Sequence, residues 1–449
     1  MASPQTASAQ SALLARIAEA RKRTDSLFQL LPPNSFYDRP IPERHRMIFY
    51  LGHLEAFDWN LLAPALDLKP DEPEFDKLFA FGIDPVDGGL PADQPQDWPK
   101  IARVEKYNKK VRDTLDENLR SSRALDSRSP LADGTLIHVA IEHRLMHAET
   151  LAYLLHNMPV DRKIPHAAPF PESRPEPKQF QVRIPEGTAT LGQSRETGEF
   201  GWDNEVDVQQ VFVPAFSIDA YPVTNGEFLK FVHAGGYEQA EYWRPEDWAW
   251  RRQKQIEHPH FWVPCSSSTP ADPDARWEYR TTFGVIPLPR SWPVFVSYAE
   301  ASAFARWAGK KLPTEAQWHR AAYGTPEGAE RAYPWGQESP SAKRGNFHHE
   351  RWDLTPVDAH PAGASAFGVH DLMGNGWEWT STPFGPLPGF KPFPFYPGYS
   401  ANFFDGKHFV MKGGSHRTDA CMLRRSFRNW FQPHYPYVYA TFRCVEERA

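Results

Sequence analysis

Leu136–Asn157 reads LIHVAIEHRLMHAETLAYLLHN, and its periodicity decides the first half of the fold. Ile137, Ile141, Leu145, Ala148 and Leu151 recur at three- and four-residue steps, the spacing of one helix face. His143 and His147 stand four apart, one turn of helix, so both imidazoles can reach one divalent ion. Glu149 either orients an imidazole or is a solvated charge. Taken alone, the pair also fits an incidental arrangement, since His138 and His156 lie on the same helix.

Three more helical patterns precede this one. Ser8–Leu31 carries Leu13, Leu14, Ile17, Ala20, Leu27 and Leu30 and is ended by Pro32 and Pro33. Pro42–Leu62 carries Met47, Phe49, Tyr50, His53, Leu54 and Phe57, and Ile101–Leu119 carries Val104, Tyr107, Val111 and Leu115. Four helices of this length predict an up-and-down bundle, in which metal sites are built from side chains on facing helices. His53, set in an apolar face, is the candidate third ligand. Imidazole suits iron, zinc, nickel or copper alike, so the residues alone name no metal. Pro70–Pro99, rich in Pro, Asp and Gly, is expected to be a long surface loop.

Beyond the bundle the composition changes. The chain has 449 residues, enough for two or three domains at about 100–200 residues each. Its 44 Pro, 30 Phe, 16 Tyr and 16 Trp require a large irregular, aromatic-packed part, because interior Pro breaks helices. A Pro-rich linker is expected over 161–178, between a bundle at 1–160 and an α+β domain at 179–449. Strands are expected at Phe180–Ile184 and Val211–Ile218, and helices at Ser297–Ala308 and near Thr314–Ala322, with few helical windows elsewhere. The three cysteines, Cys265, Cys421 and Cys444, are widely spaced and read as reduced thiols. A net charge of -6 gives no basic footprint for nucleic acid or an anionic membrane. The start MASPQTASAQSALL has neither a charged nor an apolar leader region, so a cytoplasmic chain without membrane partners is expected.

The second half holds an ordered set of motifs: Gly192-Gln-Ser, Phe200-Gly-Trp-Asp-Asn-Glu205, Tyr221-Pro-Val-Thr-Asn225, Leu312-Pro-Thr-Glu315-Ala-Gln-Trp318, Asp371 to Trp379, Gly413-Gly-Ser415 and Phe442-Arg443-Cys444. With the His143–Glu149 motif they resemble the ergothioneine-type sulfoxide synthases over nearly the whole chain. The resemblance implies a DinB-like four-helix bundle followed by a domain like the formylglycine-generating enzyme, related to C-type lectins. It also implies nonheme Fe(II) held by His53, His143 and His147, with O2 as co-substrate, joining a sulfur donor to C2 of the imidazole of hercynine. Phe427-Arg428-Asn429-Trp430 matches the family segment whose Asn and Trp hold the betaine end of hercynine; an aromatic face attracts a quaternary ammonium. A proton-delivering tyrosine is implied, for which Tyr396 and Tyr399 are the candidates. A structural Ca2+ in the second domain is left open.

Departures from the family pattern point to the donor. Phe431 follows Trp430 where enzymes using γ-glutamylcysteine have an acidic residue, and Met146 stands in place of their Gln. Pro70–Pro99 contains no Arg and one Lys, Lys77, so a donor with two carboxylates finds no bidentate partner there. This loop and Phe431–Tyr437 look most like selenoneine synthase, which joins hercynine to a selenosugar. The alternatives are a sulfoxide synthase using cysteine or γ-glutamylcysteine, a DinB-type metal-dependent thiol S-transferase, and a betaine-binding module. Formylglycine-generating activity is disfavoured, because the positions for its cysteine pair hold Thr418 and Leu423.

Overall fold

The computed structural model describes residues 4–80, 90–120, 130–166, 174–265 and 276–446, with side chains from residue 11 onward. The chain divides into two compact units, Met1–Ala167 and Ala168–Ala449.

The first unit is helical: α1 (Pro4–Phe28), α2 (Met47–Leu62), α3 (Pro73–Leu78), α4 (Ile101–Leu119) and α5 (Thr135–Asn157). α4 buries Val104, Tyr107, Val111, Leu115 and Leu119 and exposes most of its charges, as a one-sided stripe requires. α2 and α5 are buried almost all round, so they form the middle of the bundle. Two expectations are corrected here. Pro42–Arg46 is not helical: Arg46 has extended φ and ψ of -67° and 157° and N-caps α2. Its guanidinium donates instead to the Tyr37 carbonyl and to Asp93, which fixes the chain outside the helix. Pro70–Pro99 is not simply a surface loop either, since it contains α3 and buries Phe75 and Phe79 completely or nearly so. Residues 81–89 of that segment lie outside the described residues.

At the end of the bundle, the Lys163 ammonium donates to the carbonyls of Leu155 and Met158, tying the start of the Pro-rich segment back onto α5. Its later part holds Glu176, which accepts the Thr224 hydroxyl at 2.7 Å within the second unit.

The second unit mixes short strands, helices and long loops. Its strands are β1 (Gln181–Ile184), β2 (Gly187–Leu191), β3 (Gln209–Val213), β4 (Phe216–Asp219), β5 (Trp262–Pro264), β6 (Trp277–Arg280), β7 (Val285–Pro287), β8 (Trp377–Pro383), β9 (Phe409–Lys412), β10 (Asn429–Phe431), β11 (Ala440–Thr441) and β12 (Val445–Glu446). They form sheets ordered β1-β4-β12, β10-β9-β8-β11, β2-β3 and β5-β6-β7. The run Val211–Ile218, expected as one strand, is two, because Pro214 cannot donate to a ladder. Helices α8 (Tyr298–Trp307) and α9 (Glu315–Tyr323) start where capping boxes place them, Ser297 with Glu300 and Thr314 with Gln317. Two further helices were not foreseen, α6 (Asn225–His233), capped by Thr224 with Glu227, and α7 (Pro245–Lys254), with Pro at its first position. A core of Ile184, Phe216, Ile218, Trp318, Tyr323, Leu372 and Val445 joins β1, β4 and β12 to α9.

No described helix is long and apolar enough to cross a membrane.

Candidate metal centre and aromatic site

His53 on α2 and His143 and His147 on α5 converge inside the first unit, their ligand atoms all within 4.8 Å of one another. All three side chains are buried. His53 Nε2 and His147 Nε2 are 3.2 Å apart. Two nitrogens each about 2.1 Å from one ion are about 3.0 Å apart at a right angle and about 3.4 Å at the tetrahedral angle. The observed separation falls between these, so a single ion fits the pair.

Protonation agrees with this. Burial, partly offset by the Phe79 carbonyl, lowers His53 to about 4, and burial next to other cationic groups puts His143 and His147 well below the usual histidine range. At pH 7 all three rings are neutral, the form that binds a metal. The Nδ1 atoms of His143 and His147 are buried without a hydrogen-bond partner among the described residues. No second such group of ligands occurs among the described residues.

The orientation of His53 is set by a group that sequence reasoning missed. Its Nδ1–H donates to the Phe79 carbonyl at 2.7 Å, leaving Nε2 as the lone-pair nitrogen. A backbone carbonyl carries no residue signature, but the neighbouring glycine does. A Cβ on Gly52 would lie 2.6 Å from the Phe79 ring, so only glycine before His53 lets that ring close on α2. Gly52→Ala is therefore expected to displace Phe79 and to weaken metal binding by about 10–100-fold. A cobalt titration checks this, and unchanged affinity would refute it. Helix propensity works the other way, favouring alanine by roughly 1 kcal/mol, so a loss isolates the contact. Met146 and Glu149, also on α5, are both half-buried.

The second unit gathers the remaining candidates. Trp430, half-buried on β10, stacks on Phe384 at 4.0 Å and 7°. Tyr399 meets it edge-on at 5.5 Å, and Phe403 stands at 5.6 Å. Tyr399 itself stacks on Trp202 at 3.9 Å, and Tyr396 lies 5.5 Å from Tyr399. Burial pushes the Tyr396 hydroxyl up to about 12. Asn429 Oδ1 accepts the Trp430 amide, which leaves its NH2 donors for another partner. Phe431 stacks on Tyr435 at 5.3 Å and 12°.

The segment that delivers these residues is anchored from below. Arg428 pairs with Glu315 through Nε at 3.0 Å and Nη2 at 3.1 Å and lies over the Phe384 ring. Glu205 accepts Ser426 and Arg424, and the Lys412 ammonium donates to the Arg425 and Phe427 carbonyls. The sequence does not mark these residues as supports, although Glu205, Glu315 and Arg428 sit in its motifs.

Residues 167–448 match the family described as the sulfatase-modifying factor enzyme 1-like domain, and residues 16–151 match the DinB superfamily. The hercynine oxygenase of Mycolicibacterium smegmatis is 37% identical over 322 residues, covering 70% of this chain and 72% of the relative. The hercynine oxygenase of Mycobacterium tuberculosis is 37% identical over 330 residues, covering 72% of this chain and 75% of the relative. Ergothioneine biosynthesis protein 1 of Neurospora crassa is 30% identical over 502 residues, covering 93% of this chain and 56% of the relative.

Proposed function

The chain belongs to the hercynine oxygenase family, a DinB-superfamily bundle joined to a sulfatase-modifying factor enzyme 1-like domain, and from that premise we propose that it joins a chalcogen donor to C2 of hercynine. It is an enzyme of the ergothioneine-biosynthesis type. The observation that carries the reading is the buried, neutral three-histidine cluster. The reaction balances as donor selenol or thiol, hercynine C2–H and O2 going to the selenoxide or sulfoxide and water. Iron(II), held by His53, His143 and His147, would supply the activation of O2 next to the chalcogen.

The remaining work falls to this chain's side chains. Trp430 holds the trimethylammonium of hercynine by its ring, and the Asn429 NH2 group holds the carboxylate. Tyr396 or Tyr399 gives the proton; with its hydroxyl pushed up to about 12, Tyr396 is protonated at neutral pH. Phe431, stacked on Tyr435, offers a plate for the apolar face of a sugar, and Met146 next to His147 makes no demand for a polar donor.

A selenosugar is the proposed donor. Support comes from the acidic segment of the first unit, whose own carboxylates engage the nearby cations. Asp93 accepts Arg39 and Arg46, Asp71 accepts Lys110, and Glu72 lies 3.7 Å from Arg103. A dicarboxylate donor would have to compete with these pairs for a guanidinium.

Trp430→Ala is expected to raise KM for hercynine between about twofold and thirtyfold, the worth of a cation–π contact of roughly 0.5–2 kcal/mol. Steady-state kinetics with kcat nearly unchanged is the expected pattern; an unaltered KM would remove Trp430 from the site. The decisive experiment loads the protein with iron(II) without air, supplies hercynine with cysteine, γ-glutamylcysteine or a 1-seleno-sugar, admits O2 and weighs the products. Coupling to the seleno-sugar is expected. Coupling to γ-glutamylcysteine alone overturns the donor, and no coupling with any donor overturns the hercynine reading.

A further inference from the structure

Arg144 stands between the two ligands of α5 in sequence, yet its side chain is 1% exposed and takes no part in the cluster of imidazoles. Its Nη1 donates to Glu55 Oε1 at 3.0 Å, and its Nη2 donates to Asp58 Oδ2 at 2.7 Å and to the Leu54 carbonyl at 2.9 Å. All three acceptors lie on α2 within five residues of His53. Glu55 Oε1 also accepts Arg112 of α4, which in turn makes a two-pronged pair with Asp25 of α1. One network, buried at Arg144, Glu55 and Asp58 and partly exposed at Arg112 and Asp25, thus joins α1, α2, α4 and α5.

We propose that Arg144, through Glu55 and Asp58, is a positioning residue that fixes the register of α5 against α2 and so the spacing of the three imidazoles. The proposal rests on the reading of His53, His143 and His147 as a metal site. Stability alone does not account for the network, because well-packed apolar residues usually replace a buried ion pair at no loss, and often with a gain. What apolar contacts lack is direction. A planar guanidinium bonded to two carboxylates and a carbonyl on one helix fixes both rise and rotation, since each bond tolerates only a few tenths of an ångström. Metal–nitrogen bonds demand a similar tolerance, about 0.2 Å. Arg144 is the residue next to His143, and Leu54 is the residue next to His53, so the two constraints share backbone. A coil of leucines facing each other would hold the helices together and still let them slide.

The test uses the full chain and cobalt(II) under anaerobic conditions, read by its d–d absorption and by its dissociation constant. The variant is Arg144→Met with Glu55→Met and Asp58→Leu. Its denaturation midpoint is expected to equal or exceed that of the parent, while cobalt binds about 10–100-fold more weakly, with altered d–d bands. Should the triple variant not fold, Asp58 serves alone. Asp58→Asn keeps an acceptor for Arg144 and is expected to retain parental affinity, whereas Asp58→Ala, folded by the remaining Glu55 pair, is expected to lose about tenfold. Parental affinity and spectrum in the folded triple variant, or in Asp58→Ala, overturn the proposal. A parent that binds no cobalt overturns the metal reading itself, and these results are distinguishable.

Discussion

His147→Ala is expected to leave a folded protein that holds no stoichiometric metal and couples hercynine at a rate lower by on the order of a thousandfold or more. Removing a group that merely orients a ligand costs about 10–100-fold in affinity or activity, and His147 is a proposed ligand itself. Its Nε2 lies 3.2 Å from that of His53, so the two nitrogens face one ion position. Its loss leaves two nitrogens, too few to hold a first-row dication against water. The fold should survive, because the substitution removes a buried imidazole with an unpaired Nδ1 and leaves the ion pairs of Arg144 with Glu55 and Asp58 untouched. Metal content and product mass are the measurements. A folded His147→Ala protein that retains one metal per chain and turns over at the parental rate would sink the three-histidine site.

The contrast with Trp430→Ala is itself informative. Loss of an aromatic face should weaken hercynine binding and spare the metal, whereas loss of His147 should spare betaine binding and abolish the chemistry. A protein that only captured a betaine would respond to the first change and ignore the second.

How much of this was legible in the sequence depended on whether a signal was periodic or local. α4 and α5 were readable to within a residue because long stretches with apolar residues at three- and four-residue steps repeat the same evidence many times. His53 was readable because a polar residue interrupts an otherwise apolar face. The start of α2 was not, since Pro42 offers a plausible first turn and nothing local reveals that Arg46 is held by Asp93 far along the chain. α3 and α7 are short, six and ten residues, too few for a periodic pattern to show, and neither has a side-chain N-cap hydrogen bond. Each has Pro at its first position and acidic residues in its first turn, the local signals that mark its start. The Phe79 carbonyl lay beyond sequence reading altogether, and Gly52 was its one trace.

The motifs of the second half were legible as an ordered set, but their reason is structural at several points, and Arg443→Met tests the strongest of these. Arg443, of the Phe442-Arg443-Cys444 motif, pairs with Glu378, of the Asp371–Trp379 motif, through Nε at 2.7 Å and Nη2 at 2.7 Å. The side chains are 0% and 1% exposed. Arg443 also donates to the carbonyls of Asp219, Ala220 and His370, and Glu378 accepts the Trp318 indole N–H at 3.0 Å. Methionine fills most of the arginine's volume but leaves the Glu378 charge buried with one neutral donor. The expected cost is about 3–5 kcal/mol, the typical penalty for stranding one member of a buried pair. Urea denaturation at fixed pH should show a lower midpoint with an unchanged slope, which separates a loss of stability from a change in compactness. Adding Glu378→Leu to Arg443→Met should recover much of the loss, because the pair is then removed rather than broken. A single variant as stable as the parent would mean that water or a neighbour reaches Glu378. In that case β8, which carries Glu378 and pairs with β9 next to the strand bearing Trp430, would be held by packing rather than by the ion pair.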